Sequence, residues 1–384
     1  MSSNIIIYKD IDELSDKIET IRTQLVKSSK TYSGLCGFDG FVDTFIRMED
    51  PSSMKDMGPK VSAASGIAAS FRVKNKGDKF GGNGPLFAGA ISDIFKRDID
   101  LSYIGGIGKD EVTPLFRKAL ENKVENMYTL ADPAHSDCLE FTDGKIMLND
   151  LSSCAEVTWD RLLEVMGDQK LNDHLMKTDF IGAVNWGKLI NAGTIWKNLA
   201  LRLSELGITS KKVHMFMDLA EFEQRPEEDI KELLETVKII TKQTTSILSF
   251  NLKEAWEMGD FLGKDFRGKK GPEDVAQLAA YLKENIDVDR IVIHPNDGAI
   301  CSSKDGTIYI PGPYCREPLI STGAGDNFGA GCLAASLKGL DDTGIILTGV
   351  CASGYFVRTG KSPSFSDMVA LLDYWQKGDL PERL

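Results

Sequence analysis

Ser321-Thr322-Gly323-Ala324-Gly325-Asp326-Asn327-Phe328-Gly329-Ala330-Gly331 is a loop of small residues that opens a helix-like run, FGAGCLAASLKGL. Glycines let a ligand approach the backbone closely. The free amides of a helix's first turn carry partial positive charge, so such a loop binds an anion. The carboxylate of Asp326 changes what the loop can do. It repels a resting phosphate but can accept the proton of an attacking hydroxyl, while the amides of Gly323, Ala324 and Gly325 stabilise charge on a transferred phosphoryl group. Two other readings fit the same letters. Asp326 can simply cap the helix, with the glycines serving close packing, and Gly323-x-Gly325 superficially matches a dinucleotide-binding fingerprint. That fingerprint belongs to the first strand–helix turn of a fold, with its acidic residue about 20 positions further on. Here the loop lies in the last quarter of the chain.

Outward from the loop, strand-like and helix-like stretches alternate. Apolar strands are expected at 101–104, 179–184, 212–217, 245–250, 290–294 and 307–310. Helices are expected at 11–28, 85–96, 112–122, 192–206, 226–243, 272–285, 326–338, 341–358 and 366–377. A first strand from Ser33 to Cys36 runs into Gly37-Phe38-Asp39-Gly40-Phe41-Val42-Asp43, where aspartates at a strand end face the ligand side of an open sheet. The alternation predicts an α/β fold of three α/β/α layers with a mostly parallel central sheet. It is expected to form a single domain over 1–384 with a helical N-terminal extension over 1–30. Segments 60–80 and 136–149 break the alternation, the second with Thr142-Asp143-Gly144-Lys145 as a hairpin turn. They form either a small β lid outside the main layer or plain surface hairpins.

Composition narrows the function. The 45 basic and 57 acidic residues give a net charge of −12, which argues against a broad nucleic-acid or anionic-membrane surface. It does not exclude a nucleotide, which is held by local amides and magnesium. Seven cysteines without C-x-x-C spacing and four isolated histidines suggest neither a disulfide framework nor a zinc site. The N-terminus has too short an apolar run for a signal peptide, and no stretch approaches the ~20 apolar residues that span a bilayer. A cytoplasmic protein is expected.

The loop and several other motifs resemble the ribokinase or PfkB family of carbohydrate kinases, with matches from about residue 33 to 363. Ser321–Asp326 resembles the family's D-T-x-G-A-G-D signature, which implies Asp326 as catalytic base, Gly323, Ala324 and Gly325 as anion hole, and Thr322 beside the nucleotide. Gly81-Gly82-Asn83-Gly84-Pro85 resembles its sugar-binding turn. Leu101-Ser-Tyr-Ile-Gly105-Gly106-Ile107-Gly108-Lys109-Asp110-Glu111 resembles the strand and loop that follow. Asp43 lies where the family places a carboxylate against sugar hydroxyls, with Asp39 on the same turn, and Asn185 at a strand end can face the substrate. Asp218, after Val213-His-Met-Phe-Met217, can position substrate or merely cap a loop. Ser249-Phe250-Asn251-Leu252-Lys253-Glu254 resembles the family's N-x-x-E element, implying that Asn251 and Glu254 hold Mg²⁺ through water near the phosphates. The same spacing is also a helix capping box. Gly298, and Gly360 in Arg358-Thr359-Gly360-Lys361-Ser362-Pro363, resemble nucleotide-loop glycines.

Three positions depart from the pattern. Ile320 replaces the signature's first aspartate, which helps hold a monovalent cation in the family and argues against potassium activation here. Leu86 replaces an asparagine of the sugar turn, and His294-Pro295-Asn296-Asp297-Gly298 replaces the T-x-G-x-x-G nucleotide loop. The implied activity is transfer of the γ-phosphoryl group of ATP to a hydroxyl of a small sugar, with ATP and Mg²⁺ as cofactors and a homodimer through the lid. Alternatives are a nucleoside kinase of the same fold, a non-catalytic sugar- or nucleotide-binding regulator, and, more remotely, a dehydrogenase.

Overall fold

β-Branched and aromatic runs separated by proline- and acid-initiated helices fold into two sheets. The computed structural model describes residues 4–27, 30–208 and 211–384. In chain order its strands are β1 (Ile5–Ile7), β2 (Tyr32–Phe38), β3 (Phe41–Asp50), β4 (Arg72–Gly81), β5 (Ile99–Gly105), β6 (Asn126–Thr129) and β7 (Ala134–Glu140). There follow β8 (Lys145–Asp150), β9 (Phe180–Ala183), β10 (His214–Asp218), β11 (Thr245–Phe250), β12 (Arg290–Ile293), β13 (Gly298–Ser303) and β14 (Gly306–Pro311). The main sheet has the order β1-β14-β13-β12-β11-β10-β9-β2-β5-β6. It is parallel except at β13, which runs antiparallel to both neighbours.

Successive side chains of each central strand enter opposite apolar layers, as the pleat requires. Leu35, Ile181, Met215, Leu248 and Ile291 face one layer, covered by helices that include Ala192–Glu205, Glu227–Gln243 and Pro272–Asn285. Cys36, Phe180, Phe216, Ile247 and Val292 face the other, covered by Ser15–Val26, Asn83–Ile94, Ala324–Leu337 and Asp342–Thr359. The three-layer fold expected from the alternation is thus observed. Its strand order reverses at β2: the chain leaves β2 toward β5 and β6, then returns to β9 on the other side. Carboxyl ends beside such a reversal form a crevice, and here they bring Asp39, Asn185, Asp218 and Asn251 to one edge of the sheet.

The smaller sheet, β4-β3-β7-β8, stands outside the main layer. Its central strand β3 was not expected, because the first strand was read as ending near Asp43; β2 in fact stops at Phe38 and a new strand starts at Phe41. The expected lid segment 60–80 is also shifted. Residues up to Ala63 belong to a helix, Met54–Ala63, capped by the Ser53 side chain, and only Arg72–Gly81 is strand. At the other end, segment 136–149 lies within the β7–β8 hairpin, which turns at 141–144. The N-terminal extension is not wholly helical: Ile5–Ile7 pairs in parallel with Thr307–Tyr309, adding an edge strand to the main sheet. Residues 1–3 and 28–29 of that expectation lie outside the described residues.

Candidate active site

Gly323 caps the helix Ala324–Leu337 with φ 95°, a left-handed conformation in which any side chain would be strained. Among the described residues, the amides of Gly323 and Gly325 have no acceptor in the protein, whereas the Ala324 N–H donates to the Ser321 carbonyl at 3.1 Å. Of the three amides expected to form an anion hole, the tight turn into the helix thus uses that of Ala324 and leaves those of Gly323 and Gly325 without a protein acceptor. Gly323, Gly325 and Asp326 line an open cleft of about 2340 Å³ that runs between the strand ends and the smaller sheet.

Asp326 is 9% exposed. Its Oδ1 accepts a hydrogen bond from Asn83 Nδ2 at 3.1 Å. Its pKa is raised well above the ordinary carboxylate range, first by burial and then by the charges of Asp218 and Asp39, with the Asn83 hydrogen bond opposing. A carboxylate poised this way is a better proton acceptor than a solvated one. Across the cleft, Asp43 projects from β3 in register with Lys79 of β4 and Ser136 of β7. Burial raises its pKa as well, against the Ser136 hydroxyl beside it and the charges of Lys145 and His135. Ser136 in turn donates to Asn149 Oδ1 at 2.8 Å, so one polar rung crosses β3, β7 and β8.

Asn251 and Glu254 form the capping box. The Asn251 side chain accepts from the Glu254 N–H at 2.9 Å, and Glu254 Oε2 accepts from the Asn251 N–H at 3.0 Å. Both residues also line the cleft. The pKa of Glu254 is raised well above its usual value by burial and then by the charge of Asp218; that of Asp218 is raised to about 6, by burial. Carboxylates pressed together without a countercharge suit a hard cation. Among the described residues no group of three His, Cys, Asp or Glu side chains converges tightly enough to hold a metal directly.

A family model described as prokaryotic ketohexokinase matches residues 11–375. The chain belongs to that family. A ketohexokinase of Haloferax volcanii is 21% identical over 357 residues, covering 89% of this chain and 92% of that one. Among solved structures, Arabidopsis thaliana ribokinase complexed with ribose and ATP superposes with a TM-score of 0.65 at 15% identity, covering 90% of this chain and 99% of that one. The nucleoside kinase of Methanocaldococcus jannaschii gives a TM-score of 0.58, also at 15% identity and with coverage of 90% and 99%. At that identity the structures establish the ribokinase fold. The family match makes the chain an ATP-dependent carbohydrate kinase.

Within this ketohexokinase-family site, several residues sit otherwise than expected. Asp39 is 1% exposed and lies beneath the cleft rather than in its wall. Its carboxylate accepts from the Gly84 N–H at 2.7 Å, the Asn83 N–H at 3.0 Å and Asn185 Nδ2 at 2.5 Å, and its carbonyl accepts from the Tyr103 hydroxyl. It caps the helix Asn83–Ile94 and fixes the Gly81–Asn83 turn in the cleft wall, since free first-turn amides compete strongly for a carboxylate. Burial raises its pKa to about 6. Gly298 is also displaced: it begins β13, buried against the Tyr309 hydroxyl and the Ile310 carbonyl, outside the cleft. Thr322, Gly360, Gly81, Gly82 and Asn83 all line the cleft. So does Asn185, whose φ is 63° and whose buried Oδ1 is an acceptor left without a partner.

Sequence reasoning passed over His294. Its ring stacks on Phe328 with centroids 4.7 Å apart and lies 3.3 Å from where a Cβ on Gly325 would stand. Burial lowers its pKa to about 4, so the imidazole beside the anion hole is neutral. The only available signal was its place in the segment that departs from the nucleotide-loop pattern.

Proposed function

We propose that this kinase phosphorylates a ketohexose, with Asp326 as the general base, Gly323 and Gly325 as the anion hole, and Asp43, Gly81, Gly82, Asn83 and Asn185 around the sugar. The observation that carries the reading is a buried carboxylate of raised pKa on the same turn as two unpartnered amides, facing a polar lid rung across one cleft. A sugar hydroxyl held between the Asp43 rung and Asp326 gives its proton to Asp326 as it attacks. The Gly323 and Gly325 amides meet the negative charge that gathers on the transferred phosphoryl oxygens. Such positioning and electrostatic stabilisation supply most of the acceleration in phosphoryl transfer.

Asn251 and Glu254 hold Mg²⁺ through water, and the ion when bound neutralises phosphate charge. Thr322 and Gly360 flank the nucleotide. Ile320 offers no side-chain oxygen to a monovalent cation, which argues against activation by potassium. The lid closes over the sugar and keeps water from the phosphoryl group.

The test is a panel of ketohexoses, aldoses, pentoses and nucleosides with ATP, scored by ADP release, with the phosphorylated carbon located by NMR. Preference for a ketohexose is expected, and preference for a nucleoside or aldose would reject the substrate assignment. Asp326→Asn is expected to lower kcat by about 10²- to 10⁴-fold, the usual contribution of a general base, with the affinity for a non-hydrolysable ATP analogue kept within a few fold. Turnover retained in that variant would remove Asp326 from the role of base.

A further inference from the structure

Between Pro311, where β14 ends, and Gly323, the chain crosses 312–322 without strand or helix. The last residues of this connection, Leu319–Gly323, line the cleft. The path of this irregular segment therefore decides where the Gly323 and Gly325 amides point. What holds it is a buried cation. Arg358, in the last turn of Asp342–Thr359, is 1% exposed. Its Nη1 donates to the Pro313 carbonyl at 2.8 Å and the Gly354 carbonyl at 2.9 Å, its Nη2 to the Tyr314 carbonyl at 2.7 Å, and its Nε to the Pro381 carbonyl at 2.8 Å. Among the described residues no carboxylate comes within ion-pairing distance of this guanidinium.

A charge buried among carbonyl dipoles, with the Glu382 carboxylate acting on it only from beyond ion-pairing distance, is costly, and an apolar side chain would fill the same space more cheaply. A planar fork that grips three chain segments at once suits a residue that fixes their relative positions. The C-terminal tail completes the grip. Glu382 Oε2 accepts from the Arg316 N–H at 2.9 Å, the Glu317 N–H at 3.3 Å and Cys315 Sγ at 3.2 Å, while Arg383 donates to the Glu317 carbonyl. The Leu319 N–H donates to the Val357 carbonyl at 2.8 Å, one residue before Arg358. Leu319 Cδ2 lies 3.4 Å from a Cβ built on Gly360, and Phe356 lies 3.2 Å from one built on Gly323. The helix end, the tail and the connection thus meet beside the anion hole.

We propose that Arg358 and the strap Pro381–Arg383 are positioning residues that hold the connection 313–322 in register, and through it orient the Gly323 and Gly325 amides toward the nucleotide phosphates. Neither Arg358 nor the strap lines the cleft. This rests on the kinase reading of that loop. The test compares wild type with Arg358→Lys, Glu382→Ala and a chain ending at Leu380. Affinity for Mg²⁺-adenylyl imidodiphosphate is measured by calorimetry, together with kcat, both KM values and the unfolding temperature.

Glu382 is exposed, so Glu382→Ala keeps the fold even where Arg358→Lys does not. About tenfold losses in analogue affinity or kcat are expected, a modest effect for a displaced phosphate donor. The sugar KM and the unfolding temperature of Glu382→Ala should stay close to wild type. Wild-type affinity and kcat in both Glu382→Ala and the shortened chain would overturn the proposal. So would parallel losses in sugar KM, nucleotide affinity and unfolding temperature, which mark a merely structural contact. A wild-type chain that binds the analogue but phosphorylates no ketohexose rejects the substrate assignment instead, and the affinity comparison still decides the strap.

Discussion

Asp326 is held between opposing influences, and each can be removed singly. Burial and the charges of Asp218 and Asp39 raise its pKa, and the hydrogen bond from Asn83 lowers it. A general base works only when ionised, so kcat/KM falls on the acid side through the pKa of the free enzyme's base. Asp218→Asn removes a like charge and should move that acid limb to lower pH. Asn83→Ala removes a stabilising donor and should move it to higher pH. Profiles that shift in the same direction, or not at all, would show that another group sets the limb. Asp326 and its glycines were legible because their chemistry lies within a few consecutive residues. The true work of Asp39 was not, since the amides it caps lie 44 and 45 residues away. Sequence showed a carboxylate at a strand end, but not that a neighbouring helix would claim it.

Helix Ala324–Leu337 carries the loop, and it is buried nearly all round because its residues are small. A Cβ on Gly331 would stand 2.9 Å from both the Thr348 carbonyl oxygen and Ala352 Cβ of the neighbouring helix. Backbone cannot yield as a flexible side chain can, so Gly331→Val should force the two helices apart. Overpacking of this kind costs about 1–3 kcal/mol, readable as a lower urea midpoint at unchanged slope; an unchanged midpoint would mean that the helices slide freely. The lid makes a complementary prediction. Loss of the carboxylate from the β3–β7–β8 rung in Asp43→Asn should raise the sugar KM and leave the nucleotide KM alone, and a change confined to nucleotide KM would detach the rung from the sugar. The helices that cover the main sheet were readable from capping and 3.6-residue spacing, whereas Met54–Ala63, Trp159–Met166 and Asp168–Lys177 were not expected. The lid strand β3 was not, because most of it is part-exposed on both faces, which erases the alternation that marks a half-buried strand.

Across the whole molecule, the parallel strands deliver their acids to one crevice, and the folded chain is strained electrostatically there until a cation arrives. The three-layer arrangement that produces this was legible from the alternation of elements; the convergence of Asp39, Asp218, Glu254 and Asp326 required the strand order. Burial raises all four pKa values, to about 6 for Asp39 and Asp218. The folded state therefore binds protons more tightly than the unfolded state at these groups, and the stability they contribute is lost as pH rises through their folded pKa values, about 6 for Asp39 and Asp218. His214 and His294, lowered to about 4 by burial, act oppositely: they are neutral in the fold, and their contribution is lost as pH falls below the ordinary imidazole range. Mg²⁺ alone, unlike its net-negative complex with a nucleotide, brings positive charge to the acids and leaves the unfolded chain unaffected. Linkage then requires that the stabilisation from Mg²⁺ be larger at about pH 8 than at about pH 6. Differential scanning calorimetry with and without Mg²⁺ measures this, and Asp218→Asn ties the effect to the crevice because it should shrink the difference between the two pH values. Equal stabilisation at both, in wild type and variant alike, would mean that the crevice carboxylates are already neutralised within the protein.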